Sequence, residues 1–441
     1  YFLTEDGGSY VRVFPIDKTL RYLIPFRDPE ETIEYLRSIA REPGAGRRIA
    51  VLADDGEKFG LWPGTHDLCY RRRWLERFCE LLRENAGWIE VSTFSRVLDT
   101  AAPLGIVYLP TASYSEMMEW ALPLRAQLDY QGAKEALARC GSFPEPAAAL
   151  RGGLWRNFFV KYEESNWMHK RMLRAGSLVE GMAGKKADAA AVASARRHLY
   201  QAQCNCAYWH GLFGGLYLPH LRSAVFSHLV AAEAEALACA GADGRGPAVE
   251  TGDLDGDGVE ETIVTTPHLQ AFFKARGGVL RELDLVPGRF NLTDTLTRRE
   301  EIYHRDLLRL GDAASVPPGG NGEHEPNGQD APVEAVSIHD RTAAREAGLE
   351  RYLHYDRWPR ASLADRFIPP ATGLEPFAAA ACEEWGDFVD GLYEVSHSLR
   401  GGEARLVFER SGAIGAGDAA APARLTKRVT IPGGEASVRV G

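Results

Sequence analysis

The sequence predicts a mixed α/β plus all-β protein with three successive regions. In the first region, short apolar runs alternate with segments of helical periodicity, which is typical of a parallel α/β barrel. In the second, apolar residues recur at helical spacing. In the third, short alternating apolar and polar segments follow one another, as in a β-sandwich. The predicted domains are residues 1–157, 158–245 and 246–441.

Within the first region, the pattern predicts strands that alternate with helices. The predicted strands are residues 22–26, 49–53, 88–91 and 106–109. One helix is predicted to begin at Asp28-Pro29, where Asp is a good N-cap and Pro suits the first turn, and another covers residues 74–85. These units resemble the closing part of a barrel, so we expect its earlier strands upstream of Tyr1.

The second and third regions are predicted from the same kind of pattern. The predicted helices are residues 166–172, 195–206 and 221–240. The predicted sandwich strands are residues 261–266, 278–285, 406–409 and 425–431. Residues 311–332 are rich in Pro, Gly, Asn and Asp, which predicts a flexible surface loop.

Composition and charge narrow the class of partner. A hydrophobic content of 45% over 441 residues is enough for a sizeable core. The formal net charge of −10 argues against a general binder of phosphate backbones, which is normally basic. We therefore expect no nucleic-acid partner. No apolar run reaches transmembrane length, so we expect no membrane partner either. A homo-oligomer stays open.

The cysteines bear on the cellular compartment. Seven are scattered along the chain, without a CxxC pair or an even framework, so neither a zinc site nor a disulfide scaffold is predicted. We therefore expect a cytoplasmic location. Because the chain starts at Tyr1 without Met and in mid-pattern, we expect an N-terminal part to be absent, which leaves a signal peptide open. The last strands suggest a cut C-terminus as well.

Carboxylates and an aromatic ring follow the predicted strand at residues 49–53. The strand stops at Asp54 and Asp55, and Glu57 and Trp62 come soon after. Chemistry in α/β barrels lies at the C-terminal ends of the strands. Three carboxylates within four residues repel one another, which is costly unless something uses them. The segment is a candidate catalytic site; the alternative is an ordinary polar turn.

Five motifs in order resemble glycoside hydrolase family 57, in its 4-α-glucanotransferase/α-amylase branch. The first is DDGEKFGLWPGT, residues 54–65. The others are LPTASYSEMMEW at 109–120, SNWMHK at 165–170, YWHGLFGGLYLPHL at 208–221, and FNLTDTLTRR at 290–299. The resemblance covers nearly the whole chain.

The resemblance implies a retaining α-glucan enzyme on a (β/α)7 TIM-like barrel. Such a mechanism uses a nucleophile and a general acid/base whose carboxyl groups are about 5–5.5 Å apart. By motif match, Asp55 is the acid/base, and Glu57 bonds substrate or tunes Asp55. Trp62 and Trp209 are expected to stack on glucose rings. Asp54 is expected to be structural, because alternate residues of a strand face opposite sides.

The chain departs from the family pattern at two points. The family's nucleophile is a glutamate about a hundred residues before the acid/base, so we expect it upstream and expect this chain alone to be inactive. At Cys206, family members often carry Asp, and a thiol cannot bond sugar hydroxyls as a carboxylate does. Either this position varies or a substrate subsite is altered. His210, beside Trp209, is a candidate substrate ligand; the alternative is an ordinary helix histidine.

The loop DLDGDGVEE, residues 253–261, carries oxygen ligands at alternate positions. This pattern suits calcium, with Asp253, Asp255, Asp257 and Glu261 as ligands. It is not an EF-hand, because its twelfth position is Val264. We expect no cofactor to be required for activity. The loop is a candidate site for a structural calcium ion, and the alternative is a solvated turn.

The predicted function is 4-α-glucanotransferase activity, which moves maltooligosaccharide segments through a covalent glycosyl-enzyme. The expected partner is an α-1,4-glucan or maltooligosaccharide. Two alternatives stay open, an α-amylase and a non-catalytic α-glucan-binding protein. A polysaccharide deacetylase would need a metal-binding Asp/His/His set, which the sequence does not show.

Overall fold

The computed structural model describes most of the chain as two compact units. The described residues are 1–43, 48–111, 113–141, 150–182, 188–211, 214–241, 246–305, 307–308, 348–417 and 420–441. Unit 1 is residues 1–111, and unit 2 is residues 113–308 with 348–441. The predicted loop at 311–332 lies outside the described residues. No helix of the described ranges is long and apolar enough to cross a membrane.

Unit 1 consists of a small hairpin and a group of helices. The strands are β1 (Phe2–Asp6) and β2 (Ser9–Val13), which pair antiparallel. The helices are α1 (Lys18–Leu23), α2 (Pro29–Arg41), α3 (Trp74–Glu84) and α4 (Phe94–Thr100). The core forms where α1 meets α3, around the buried Leu20, Ile24 and Trp74. The predicted helices α2 and α3 are confirmed.

The strand predicted at residues 22–26 is wrong. The side chain of Asp17 accepts hydrogen bonds from the backbone amides of Thr19 and Leu20. This N-cap satisfies amides that a helix otherwise leaves unpaired, so α1 forms and ends at Leu23. The apolar alternation that suggested a strand lies partly on a short helix and partly on the turn after it.

The other three strands predicted in unit 1 do not form as strands. Residues 49–53 are extended but contribute one backbone bond, from the Asp17 amide to the Val51 carbonyl, at 2.9 Å. Ile106 makes an isolated parallel bridge to Leu3. Residues 104–107 make three backbone bonds to residues 1–3 on one side only, and the described residues place no strand beside 49–53 or 88–91. A strand needs such neighbours for its backbone groups. Consequently Tyr108 is 77% exposed despite its apolar setting.

Unit 2 contains a helical region followed by two antiparallel sheets. Its helices are α5 (Ser115–Trp120), α6 (Leu124–Cys140), α7 (Phe158–Lys161), α8 (Glu163–Met182), α9 (Ala189–Ala202), α10 (Pro219–Cys239) and α11 (Leu374–Ala378). Its strands are β3 (Ala248–Gly252), β4 (Glu261–Thr265), β5 (Leu269–Lys274), β6 (Val279–Leu285), β7 (Phe290–Asn291), β8 (Glu394–Arg400), β9 (Glu403–Ile414), β10 (Ala421–Pro432) and β11 (Arg439–Val440).

The helices α8, α9 and α10 pack into one layer. Their contact surfaces are apolar at helical spacing, with Trp167, Val179 and Leu229 almost fully buried. Pro219 opens α10, where its missing amide costs no helical hydrogen bond. The three predicted helical segments fall largely within these helices and are confirmed.

The two sheets form the predicted sandwich. One has the order β3-β4-β5-β6-β7 and the other β11-β10-β9-β8, all antiparallel. Phe273 and Leu280 of the first sheet share a core with Leu406, Phe408 and Val429 of the second. Strands β9 and β10 of the second sheet alternate between more and less buried residues, whereas β4, β5 and β6 of the first sheet are buried on both faces, because one face packs on the helices and the other on the second sheet.

One buried arginine joins the helical layer to the first sheet. Arg171 of α8 pairs with Glu233 of α10 and with Glu282 and Asp284 of β6. The guanidinium is fully buried, and each of its bonds goes to a carboxylate. Burial acts to lower the pKa of Arg171, but the three carboxylates outweigh it and raise that pKa. The cation therefore stays charged inside the protein.

Candidate active site

The two adjacent aspartates of unit 1 have opposite environments. The carboxylate of Asp54 is 3% exposed and accepts bonds from Lys58 Nζ at 2.6 Å and Arg21 Nε at 3.1 Å. The Asp55 side chain is 54% exposed, and its nearest cation is Arg21 Nη2 at 3.6 Å. The Asp55 amide donates to Asp54 Oδ1 at 2.9 Å. Asp54 thus fixes the backbone that presents Asp55, although the two residues do not lie on a strand as expected.

Glu57 and Trp62 follow in a tight turn. Glu57 lies in a 3-10 helix, Gly56–Phe59, and its carbonyl accepts the amides of Leu61 and Trp62 at 2.9 and 3.1 Å. The Trp62 ring is half-buried and stacks on Phe26, with 6.1 Å between ring centroids. This packing fixes the indole beside the carboxylates, while the Glu57 side chain is exposed.

In unit 2, Trp209 is enclosed by other aromatic rings. It stacks on Trp120 and lies tilted against Phe158, each with centroids 5.9 Å apart. Its indole Nε1 is buried and has no hydrogen-bond partner among the described residues. Gly215, at φ +44°, lies so close to the Trp209 carbonyl that a Cβ there would be 2.1 Å from the oxygen. Only glycine permits this turn.

The ring of His210 is fixed on one side by the backbone. Its Nδ1 is 3.0 Å from the carbonyl oxygen of Gly214, so the N–H donates there and Nε2 carries the lone pair of the neutral ring. Burial lowers the pKa of His210, while the carboxylate of Glu301 acts in the opposite direction. A neutral imidazole can accept a bond from a hydroxyl, and a charged one can donate.

Glu301 is a buried carboxylate near this turn that the sequence analysis did not single out. Its Oε1 accepts bonds from Tyr162 Oη at 2.6 Å and Tyr217 Oη at 2.8 Å, and its Oε2 is 3.1 Å from Lys161 Nζ. The residue lies just beyond the motif at 290–299, in a run of charged residues that resembles a solvated surface. Its partners are distant in sequence, so no local spacing reveals it.

Cys206 lies on the same turn as Trp209, at the surface. It belongs to the 3-10 helix Asn205–Tyr208, and its Sγ is 3.6 Å from Oδ1 of Asn205. The neighbouring Tyr208 is buried, and its hydroxyl donates to the carbonyl of Ala202 at 2.6 Å. The turn is therefore anchored by Tyr208, and the thiol of Cys206 is exposed.

The predicted calcium ligands lie in the loop between β3 and β4. Carboxylate oxygens of Asp253, Asp255 and Glu261 come within 4.8 Å of one another. Asp257 is 3.0 Å from Lys274 Nζ, which also bonds Asp255 at 2.6 Å. Burial, reinforced by Asp255, raises the pKa of Glu261 to about 7.

The carboxylate oxygens of this loop meet only some of the requirements of a site for a hard cation. The Oε1 atom of Glu261 is buried without a hydrogen-bond partner in the described part of the chain, as expected of an oxygen that awaits a ligand. Lys274, in contrast, already supplies one positive charge to the loop, and any added cation has to share these carboxylates with it.

The structure thus groups the predicted residues into three sets. Asp55, Glu57 and Trp62 lie on one segment of unit 1, and Cys206, Trp209 and His210 lie on one turn of unit 2. The third set is the acidic loop, in which three of the four predicted ligands cluster.

Comparison with known families matches most of the chain. Glycosyl hydrolase family 57 matches residues 1–110. The middle domain of alpha-amylase/4-alpha-glucanotransferase matches residues 153–236, and the C-terminal domain of the same proteins matches residues 253–440.

Individual relatives agree with these matches. A 4-alpha-glucanotransferase of Thermococcus kodakarensis is 38% identical over 98% of this chain and 59% of its own length. An alpha-amylase of Pyrococcus furiosus is 38% identical over 93% of this chain and 56% of its own. The crystal structure of 4-alpha-glucanotransferase from Thermococcus litoralis superposes with a TM-score of 0.76 at 36% identity, over 97% of this chain and 57% of that one. The predicted fold class is confirmed, and the chain spans less than two thirds of these relatives.

Proposed function

We propose that this chain, whose residues 1–110 match glycosyl hydrolase family 57 and whose later residues match two domains of alpha-amylase/4-alpha-glucanotransferase, acts in a retaining 4-α-glucanotransferase that transfers maltooligosaccharide segments. The carrying observation is the carboxylate of Asp55. It is exposed on a backbone that the buried Asp54 and Lys58, together with the partly exposed Arg21, hold in place, within the segment matched by the family. Catalytic groups need this combination of access and fixed geometry.

In the proposed mechanism Asp55 is the general acid/base. It donates a proton to the glycosidic oxygen as the donor chain leaves and the covalent glycosyl-enzyme forms. The same carboxylate then takes the proton from the incoming sugar hydroxyl, which attacks the anomeric carbon and releases the enzyme. The nucleophile is not assigned to a residue of this chain.

The other predicted residues would bind the glucan. Trp62 offers an aromatic ring beside Asp55, with Glu57 on the same turn to bond a sugar hydroxyl. On the turn of unit 2, His210 would bond a hydroxyl through Nε2, and Trp209 would contribute apolar surface. Cys206 would line the same subsite with weaker hydrogen-bonding capacity than a carboxylate.

Product analysis with maltotriose on the full-length protein tests the proposal. A ladder of longer glucans is the expected result, whereas only shorter products would favour an α-amylase, the activity named for the Pyrococcus furiosus relative. Binding without products, unchanged in Asp55→Asn, would favour a glucan-binding protein. Unchanged turnover in that variant would contradict the role of Asp55.

We further propose that the acidic loop binds a structural calcium ion through Asp253, Asp255, Asp257 and Glu261. The Oε1 atom of Glu261 supports this proposal: it is buried, makes no hydrogen bond to a described residue, and has Lys274 Nζ 4.0 Å away. Calcium should raise the melting temperature of the wild-type chain and have no effect on Glu261→Gln. An equal response in both proteins, or none in either, would contradict it.

We infer a cytoplasmic location from the seven scattered cysteines, which suit a reducing compartment. Cell fractionation followed by immunoblotting tests this inference. Recovery of the protein in the secreted fraction would contradict it.

A further inference from the structure

A single buried carboxylate lies behind the Trp209–His210 turn. We propose that Glu301 is a positioning residue for glucan binding, which orients His210 and Trp209 without touching the sugar. The inference rests on the proposed function, because it takes an α-glucan as the ligand of this turn.

Glu301 is saturated by protein partners. Its side chain is 3% exposed, and its two oxygens are shared between two tyrosine hydroxyls and one ammonium group. The partners come from three places: Lys161 ends α7, Tyr162 precedes α8, and Tyr217 ends the 3-10 turn Gly215–Tyr217. A carboxylate so enclosed cannot exchange protons with a substrate, so any role in binding has to act through these partners.

The tyrosine partners lead to His210. The Tyr217 ring meets the imidazole edge-on at 4.6 Å between centroids, and the Tyr162 ring does so at 6.4 Å. Tyr303, two residues after Glu301, contacts it at 5.5 Å. With Nδ1 held by the Gly214 carbonyl, the imidazole has little freedom to rotate. Among the described residues its Nε2 makes no hydrogen bond and stays available to a ligand.

The ammonium partner leads to Trp209. Lys161 Nζ is 3.1 Å from Glu301 Oε2 and also donates to the carbonyl oxygen of Trp120 at 3.1 Å. Trp120 in turn stacks on Trp209. One buried ion pair therefore supports both the imidazole and the indole of the turn.

The charge of Glu301 acts on the pKa of His210, and a purely structural role would leave that pKa unchanged. Burial, Lys161 and His304 act to lower the pKa of His210, and Glu301 acts to raise it. Glu301→Gln keeps the size of the side chain but removes this charge, and its amide would place a second donor against Lys161. The pKa of His210 should therefore fall further in the variant.

The experiment measures two quantities on the full chain. The His210 pKa is followed by NMR of the histidine ring carbons, assigned by the loss of signal in His210→Gln. The affinity for maltoheptaose is followed by calorimetry. Glu301→Gln should lower the His210 titration midpoint and weaken binding about tenfold.

Glu233→Gln is the matched control. Glu233 is, like Glu301, a buried carboxylate in an ion pair; it pairs with Arg171 and Arg174 and is not among the groups that act on His210. It should lower the melting temperature while leaving the His210 midpoint and the maltoheptaose affinity unchanged. Equal effects of the two variants on these two quantities would overturn the proposal.

Tyr217→Phe keeps the inference testable if Glu301→Gln does not fold. It removes one hydrogen bond to Glu301 but keeps the ring beside His210. Binding should weaken about threefold to fivefold, and wild-type affinity would overturn the proposal. If the wild-type chain binds no maltoheptaose, the proposed function fails, while the NMR titration still reports whether Glu301 acts on His210.

Discussion

Two carboxylate centres of this protein are built in opposite ways. In unit 1 a buried aspartate, Asp54, holds its exposed neighbour Asp55. In unit 2 a single carboxylate, Glu301, is enclosed by Lys161 and two tyrosine hydroxyls. The first arrangement separates support from chemistry by using two residues, and the second uses one residue for support alone. Exposure, more than the presence of a carboxylate, distinguishes a candidate catalyst from a positioning group.

The largest effect is expected from Asp55→Asn. An amide cannot donate and accept the proton that the proposed mechanism requires, so kcat of the full-length protein for maltooligosaccharide transfer should fall by up to about 10⁴-fold. The melting temperature should change little, because the side chain is exposed and its nearest cation is 3.6 Å away. If the variant lost much stability but kept its turnover, Asp55 would be a structural residue like Asp54 and Glu301, and the two carboxylate centres would no longer differ.

The next largest effect is expected from Lys58→Met. This change leaves the buried Asp54 with Arg21 as its remaining cation, and breaking a buried pair typically costs about 3–5 kcal/mol. Urea unfolding of the chain measures the change in the free energy of unfolding. In the double variant Lys58→Met/Asp54→Leu most of the loss should be recovered, since no unpaired charge remains. A single variant as stable as the wild type would show that Asp54 needs no buried partner.

A smaller effect is expected from Tyr162→Phe. It removes a 2.6 Å hydrogen bond to Glu301, and bonds to charged groups are worth about 1.5–3 kcal/mol. The loss should appear in the free energy of unfolding measured with urea. An unchanged value would show that Tyr217 and Lys161 saturate Glu301 by themselves.

The smallest effect concerns pH. Burial acts to raise the pKa of Glu301, but Lys161 and the tyrosine hydroxyls outweigh it, so the pKa lies below its ordinary value of 4.5. The ionised group therefore stabilises the fold above about pH 4.5, and this contribution is lost as the pH falls. The stability difference between wild type and Glu301→Gln should shrink on acidification. A stability difference that does not change with pH would mean that the charge of Glu301 does not stabilise the fold.

Much of the fold could be predicted, because local patterns determine it. The helix that begins at Trp74 has an apolar face, the helix that begins at Pro219 is rich in apolar residues, and strands β9 and β10 alternate between more and less buried residues. The strand expected at residues 49–53 does not form, because a strand depends on neighbours that its own sequence does not contain. The helix capped by Asp17 was not predicted, because the apolar residues at 22–26 also suit a strand and Asp17 alone does not identify a helix start.

The candidate site divides in the same way. Asp55 was found from a motif of consecutive residues, whereas Glu301 depends on partners 139 and 84 residues away in sequence. A surface run of charges and a buried positioning carboxylate look alike until the chain is folded. The roles of Asp55, Trp209 and His210 stay predictions until the experiments above are done.

The buried arginine between helices and sheet has a consequence for how unit 2 melts. Arg171 of α8 bonds carboxylates of both α10 and β6. If the helical layer or the first sheet opened alone, it would leave buried charges without their partners, which is costly. The free energy of opening one part is thereby coupled to that of the other. We therefore expect the helical layer and the sandwich to unfold together in a single transition, although sequence patterns divide them into two domains.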